Sequence, residues 1–245
     1  MKKRYTVGIV GGGVSGTVTA LQLSDLEINN ILFEKKENLV SGPPFCHLHA
    51  GGNLYPEIPL EECKILLKQS IEMARMFPDS IDKRPTFIAI PTNEKYSIEF
   101  IISRLKKLKE YYKELISKDA KNQILGSADE YFKVYTKEEI SQLAKTPAKK
   151  KPITSDEWMR NAIEIVDTSK LKTPIILVQE YGWNFFRLAA QSQIALEESK
   201  NCTLRTGTAI TSIEDVRDQN HDYNWLIHTD EETFAIDYLV NSAGY

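Results

Sequence analysis

This chain is poor in cysteine and has no long apolar run, and each shortage narrows what it can be. Cys46, Cys63 and Cys202 are its only cysteines in 245 residues. Odd in number and far apart, they do not form a disulfide framework. Their scarcity fits a reducing cytoplasm, with peripheral membrane association left open. No segment approaches the roughly 20 apolar residues that a membrane-crossing helix needs. Net charge is −3, which gives no bias toward nucleic acid or anionic lipid. Internal repeats and low-complexity tracts are also missing. What is present is an ordinary globular composition, 42% hydrophobic and 27% charged, enough to build a sizeable core.

Met1-Lys-Lys-Arg4 starts like a signal peptide, but the apolar segment behind it is short and glycine-rich. It reads instead as a strand of the mature fold. Tyr5–Val10 has the length and apolarity of a buried parallel strand, and Gly11-Gly-Gly13 breaks it. Val14, Val18 and Leu21 then recur at helical spacing, predicting a helix from about Val14 to Asp25. Asn29 and Asn30 supply a turn, and Ile31–Phe33 is a second strand ending at Glu34. Strand, glycine turn, helix and strand make one βαβ unit.

Gly11-x-Gly13-x-x-Gly16 sits between that strand and that helix, the context in which this fingerprint carries meaning. Gly11 permits a tight turn, Gly13 has no Cβ to hold the backbone away from a pyrophosphate, and Gly16 lets the helix approach the strand. Free N–H groups around Val14 and Ser15 face the phosphate charge, aided by the helix dipole. Glu34, about 20 residues further on, is placed to accept hydrogen bonds from ribose hydroxyls and to repel a 2′-phosphate. Together these predict an adenine dinucleotide site, which either FAD or NAD would satisfy.

Three segments decide between the two by resemblance. Residues 5–37 resemble the first FAD-binding segment of the D-amino-acid oxidase and glycine oxidase family of flavoproteins. Thr206-Gly-Thr-Ala-Ile-Thr-Ser-Ile213 resembles the family strand in which an aliphatic residue, here Ile210, meets the adenine through its backbone. Asp237-Tyr-Leu-Val-Asn-Ser-Ala-Gly244 resembles the strand and glycine turn that bring the chain back to the cofactor. The resemblance implies FAD, held by Gly11, Gly13, Val14, Ser15, Gly16, Glu34, Lys35, His49, Ile210, Ala243 and Gly244. Members of that family continue past this turn, so the chain is expected to be a fragment of a longer protein.

The rest of the sequence is less specific. Val40–Pro59 is a proline- and glycine-rich loop in which His47 and His49 could face the flavin, with Gly51 and Gly52 allowing close approach. Cys46, His47 and His49 also raise a metal site, which is not expected since no fourth ligand is apparent, and a covalent flavin link through His49 or Cys46. A helix with Leu60, Cys63, Leu67, Ile71 and Ala74 on one stripe follows, then a strand over Pro85–Ile90. Ile98–Leu115 marks a long amphipathic helix. Thr146–Met159, with its run of three lysines, reads as a solvated connection. Ile175–Val178 reads as a strand, and Asn184 as the cap of a helix reaching about Ser199. Three β segments follow, at Thr208–Ile213, Tyr223–His228 and Thr233–Asn241. Tyr181–Arg187 reads as buried aromatic core more than as a substrate cage.

These readings predict an α/β fold: a Rossmann-type FAD-binding domain from residues 1–55 and 175–245, with an inserted, mostly helical α+β substrate-domain region over 56–174. The expected reaction is oxidation of a small amine or amino acid, with a 2-hydroxy acid as near alternative. Hydride passes to flavin N5, and oxygen or a quinone is the eventual acceptor. An NAD-dependent dehydrogenase and a non-catalytic FAD-binding module, such as a regulatory or RNA-modification partner, stay open. No catalytic residue can be named from the sequence. For a carboxylate-bearing substrate, Arg75, Arg84, Arg104, Arg160 and Arg187 are all available, because a guanidinium fork matches a carboxylate.

Overall fold

The computed structural model describes residues 3–40, 45–47 and 56–244. Strand β1, Lys3–Val10, buries Val7 and Ile9 and ends where Gly11 takes a φ of +100°, a conformation that side chains oppose. Helix α1, Val14–Asp25, buries Gly16, Thr17, Ala20 and Ser24, small residues on one face that bring its backbone close to the sheet. Strand β2, Asn30–Phe33, is buried at all four positions, as a parallel strand covered on both faces should be. It runs parallel to β1 in the register Val7↔Asn30 to Val10↔Phe33. The Asn30 amide donates to Ser24 Oγ and to Asn201 O, both at 3.1 Å, tying β2 to the end of α1.

The chain divides into two compact units: Met1–Pro44 with Asn184–Tyr245, and Phe45–Trp183. The second holds β3 (Phe45–His47), α2 (Leu60–Met76), β4 (Ile81–Asp82), β5 (Thr86–Ile88), α3 (Ile98–Lys118), β6 (Phe132–Tyr135), α4 (Lys137–Leu143), α5 (Ser155–Ile165) and β7 (Ile175–Val178), and ends in β8 (Gly182–Asn184). Its strands form two small sheets, in the orders β3-β8-β4 and β5-β7-β6. Helices α2 and α3 pack together through apolar stripes that include Leu67, Ile71, Leu105 and Leu108.

Two expectations change here. Ile175–Val178 pairs antiparallel with β5 and β6, so it belongs to the second unit, and the compact units divide after residues 44 and 183, where the sequence reading divides the chain after 55 and 174. A continuous apolar run specifies burial, not a partner. The connection expected over 146–159 gives way at Ser155 to α5, whose Met159 is fully buried with Tyr135, Ile140, Ile175 and Leu177. Thr154 and Glu157 form a reciprocal capping box at its start, which satisfies amides left over in the first turn.

The chain returns to the first unit through α6, Phe185–Glu198, where the Asn184 side chain accepts from Arg187 N at 3.1 Å. Strand β9, Cys202–Arg205, then pairs parallel with β2. Strands β10 (Ile210–Asp215), β11 (Trp225–Thr229) and β12 (Thr233–Asn241) form an antiparallel meander. Strand β12 ends parallel to β1, and the sheet order is β10-β11-β12-β1-β2-β9. Its core gathers Ile31, Phe33, Ile227, Phe234 and Ile236, with Phe33 edge-on to Phe234 at 5.1 Å between ring centroids. The fold is thus mixed α/β around a sheet with four parallel strands. Among the described residues, no helix is long and apolar enough to cross a membrane.

Candidate functional site

The glycine turn lies at the carboxyl ends of the parallel strands, where ligands of such sheets bind. Three of its glycines are required by the protein itself. A Cβ on Gly11 would lie 2.5 Å from Ser242 O, one on Gly12 2.6 Å from Leu39 Cδ2, and one on Gly16 would run into the Gly11 carbonyl oxygen. Gly13 is different. Among the described residues a Cβ there would have no atom within 4 Å, and its φ of −68° and ψ of −179° suit any residue. Packing among the described residues does not ask for glycine at position 13, and at the N-cap it occupies glycine is favoured over branched or larger apolar residues.

Gly13 is also the N-cap of α1. It makes no side-chain cap bond, and the first turn holds no acidic residue. The leading N–H groups and the positive end of the helix dipole are therefore available to an anion. Val14 is half-buried and Ser15 exposed.

Glu34, buried at 9% exposure, does more than the sequence suggested. Its Oε2 accepts from Gly12 N at 2.7 Å and its Oε1 from Lys36 N at 2.9 Å. The carboxylate thus pins the glycine loop, and each oxygen keeps a lone pair for a further donor. Lys35 beside it is exposed.

The other two segments meet the same turn. Thr208 N donates to Glu34 O and Gly207 N to Lys36 O, each at 2.9 Å. This draws the β9–β10 connection alongside Glu34. Ile210 opens β10 at a register irregularity against β11 and packs on the central core cluster. Ser242 N donates to Val10 O at 2.7 Å, and Gly11 leaves room for Ser242 and Ala243. Gly244 follows with φ +73°, and Ala243 and Gly244 are exposed. Glycine turn, Glu34, Ile210 segment and Ala243-Gly244 turn are brought together by one unit.

Other expectations fare differently. His49, Gly51 and Gly52, with the side chains of Cys46 and His47, lie outside the described residues. Of the Tyr181–Arg187 aromatics, Tyr181 and Trp183 are buried, but Phe186 is 74% exposed and is not core. Burial pushes the Cys202 thiol up to about 11 and raises that of Cys63, so neither is a thiolate nucleophile at neutral pH. The periodicity of the long helix places Tyr112 on its buried stripe and the Tyr181 segment reads as core, but the hydrogen bonds of these tyrosines are visible only in the fold. Tyr112 OH donates to Gly126 O at 3.0 Å and accepts from Leu125 N at 3.1 Å, while Tyr181 OH donates to Leu125 O at 3.0 Å. Burial pushes the Tyr112 phenol up to about 12. These hydroxyls stay neutral and brace the 120–125 turn.

No protein family's sequence model matches the chain, and no curated protein matches it. Its fold is similar to several solved structures. L-proline dehydrogenase from P. horikoshii matches at a TM-score of 0.58 and 13% identity, over 99% of this chain and 53% of that one. Glycine oxidase from Geobacillus kaustophilus matches at 0.53 and 18%, over 99% and 56%. L-alpha-glycerophosphate oxidase from Mycoplasma pneumoniae, solved with FAD bound, matches at 0.51 and 19%, over 97% and 53%. At these identities the likeness is one of fold. The chain spans about half the length of the structures it matches.

Proposed function

We propose that this protein is an FAD-dependent oxidoreductase acting on a small amine or amino acid, with a 2-hydroxy acid as near alternative. The observation that carries the reading is Gly13: an uncapped helix start whose missing side chain faces open space. A pyrophosphate would use both features, the room and the positive helix end. Glu34 would offer its remaining lone pairs to ribose hydroxyls, the backbone of Ile210 would face the adenine, and Lys35, Ala243 and Gly244 would border the cofactor. The second unit, Phe45–Trp183, would be the inserted substrate-domain region. FAD over NAD is favoured by the meander returning through β12 to the turn and by a fold neighbour solved with FAD.

Bound FAD supplies a two-electron acceptor that takes hydride from a substrate C–H bond at N5. This chain's residues bind and orient, and no side-chain nucleophile is needed. The test is the absorbance spectrum of the purified protein before and after anaerobic addition of amines, amino acids and 2-hydroxy acids. A flavin spectrum that bleaches with one of these classes is expected. A flavin spectrum that none of them bleaches would make the protein a binding module, and a colourless protein that binds NAD would make it a nicotinamide dehydrogenase.

A further inference from the structure

Five arginines stand open in the sequence as carboxylate ligands, and their surroundings separate them. Arg75 pairs with Asp119 at 2.9 Å and Asn122 at 2.7 Å. Arg104 donates to Ile58 O at 2.8 Å, Arg160 to Thr146 O and to Glu164, and Arg187 is engaged as well. Outside this set, Arg205 pairs with Glu232 and Arg217 with Asp215. Among the arginines whose side chains are described, Arg84 is the one whose guanidinium has no hydrogen bond or ion pair.

Arg84 is nevertheless held in place. Strand β4 pairs with β8 in the register Asp82↔Gly182, and Arg84 N donates to Asp82 O at 2.7 Å. The guanidinium lies on the Gly182 backbone: a Cβ on Gly182 would sit 2.5 Å from Arg84 Nη2 and 2.7 Å from Nε. Gly182 has no positive φ, so its backbone does not ask for glycine, and glycine weakens a strand. The arginine explains it. Pro85, which follows, restricts Arg84 to extended backbone and lowers the freedom lost when a ligand is gripped. A half-buried guanidinium laid on a glycine that makes way for it, with its donors unspent, is arranged for an acceptor from outside the chain.

We propose that Arg84, seated on Gly182, is the anchor for an oxyanionic group, carboxylate or phosphate, of this protein's small-molecule ligand. Both groups accept the parallel N–H pair that a guanidinium fork offers. The inference deepens the oxidoreductase reading and rests on it, since it names the charged end of the substrate.

The purified, flavin-loaded protein tests it through NMR line broadening of labelled acetate and of inorganic phosphate, with FAD content measured on the same samples. Four proteins are compared: wild type, Arg84→Gln, Gly182→Ala and the double variant, each checked for fold by circular dichroism. Wild type should bind acetate or phosphate, and the probe that binds assigns the group. Arg84→Gln should weaken binding by roughly tenfold or more, the loss of a charge-assisted pair. Gly182→Ala should do the same without touching the charge, because its new Cβ displaces only the end of a flexible side chain. The double variant should then bind no more weakly than Arg84→Gln alone. If neither probe binds wild type, or if Arg84→Gln binds like wild type while full of FAD, the anchor is wrong and the oxidoreductase reading stands. If wild type lacks FAD, that reading fails, whatever the anion data show.

Discussion

Glu34 and Gly12 are joined by a 2.7 Å hydrogen bond from a backbone amide to a buried carboxylate oxygen. The other oxygen takes Lys36 N at 2.9 Å, so one side chain ties the glycine turn to the segment that follows β2. Glu34→Gln keeps one acceptor and turns an NH₂ toward the other amide. It should lower the stability of the cofactor-free protein by about 1.5–3 kcal/mol and weaken FAD binding too. Thermal denaturation without cofactor and an FAD titration check this. Weaker FAD binding with unchanged stability would mean that the loop does not depend on Glu34.

Gly16 and Gly13 should separate stability from binding. Ala at position 16 drives a Cβ into the Gly11 carbonyl oxygen, backbone that cannot step aside, and should cost about 1–3 kcal/mol as overpacking. Val at position 13 enters open space and should cost about 1 kcal/mol or less, through cap preference alone. Unfolding curves of the two cofactor-free variants decide it, and equal losses would contradict the open space at Gly13.

How far these features were legible varied with how local their causes are. The β1–α1–β2 unit was readable to within two residues, because its periodicity, turn residues and glycine spacing lie within forty residues. Strand β9 went unread and β10 was placed two residues early, since Cys202–Arg205 is a strand through its pairing with β2, far away in sequence. Helices α4 and α5 did carry a local signal. Thr136-x-x-Glu139 and Thr154-x-x-Glu157 are capping boxes, masked by the polar, lysine-rich stretch between them. The state of Arg84 was unreadable in principle, because an absent acceptor is a property of the folded chain.

Met159 tests the corrected reading of that stretch. In a solvated connection Met159→Ala would change stability by less than about 0.5 kcal/mol. Buried in α5 beside Tyr135 and Ile175, its loss should cost about 2–5 kcal/mol. Denaturant unfolding measures the difference.

The cap of α5 should also be sensitive to acid. The Lys149 ammonium first, then the amides of Ile153 and Thr154, hold the Glu157 carboxyl at about 2 against its ordinary 4.5. A carboxyl depressed by folding contributes stability above its unfolded value and loses that contribution as pH falls through its folded value. Wild type should therefore melt above Glu157→Gln at pH 7, and the gap should close between pH 4.5 and pH 2. A gap that persists at pH 2 would show that the charge is not its source.

In the proposed reading FAD sits on the turn at Gly13. Its most direct measurement is an equilibrium titration of cofactor-free protein with FAD and with NAD, for wild type and for Gly13→Val. Saturable FAD binding by wild type, much weaker NAD binding, and no measurable FAD binding by a Gly13→Val protein that is still folded are the expected results. FAD binding that survives Gly13→Val unchanged, or a wild type that takes NAD in preference to FAD, would contradict it.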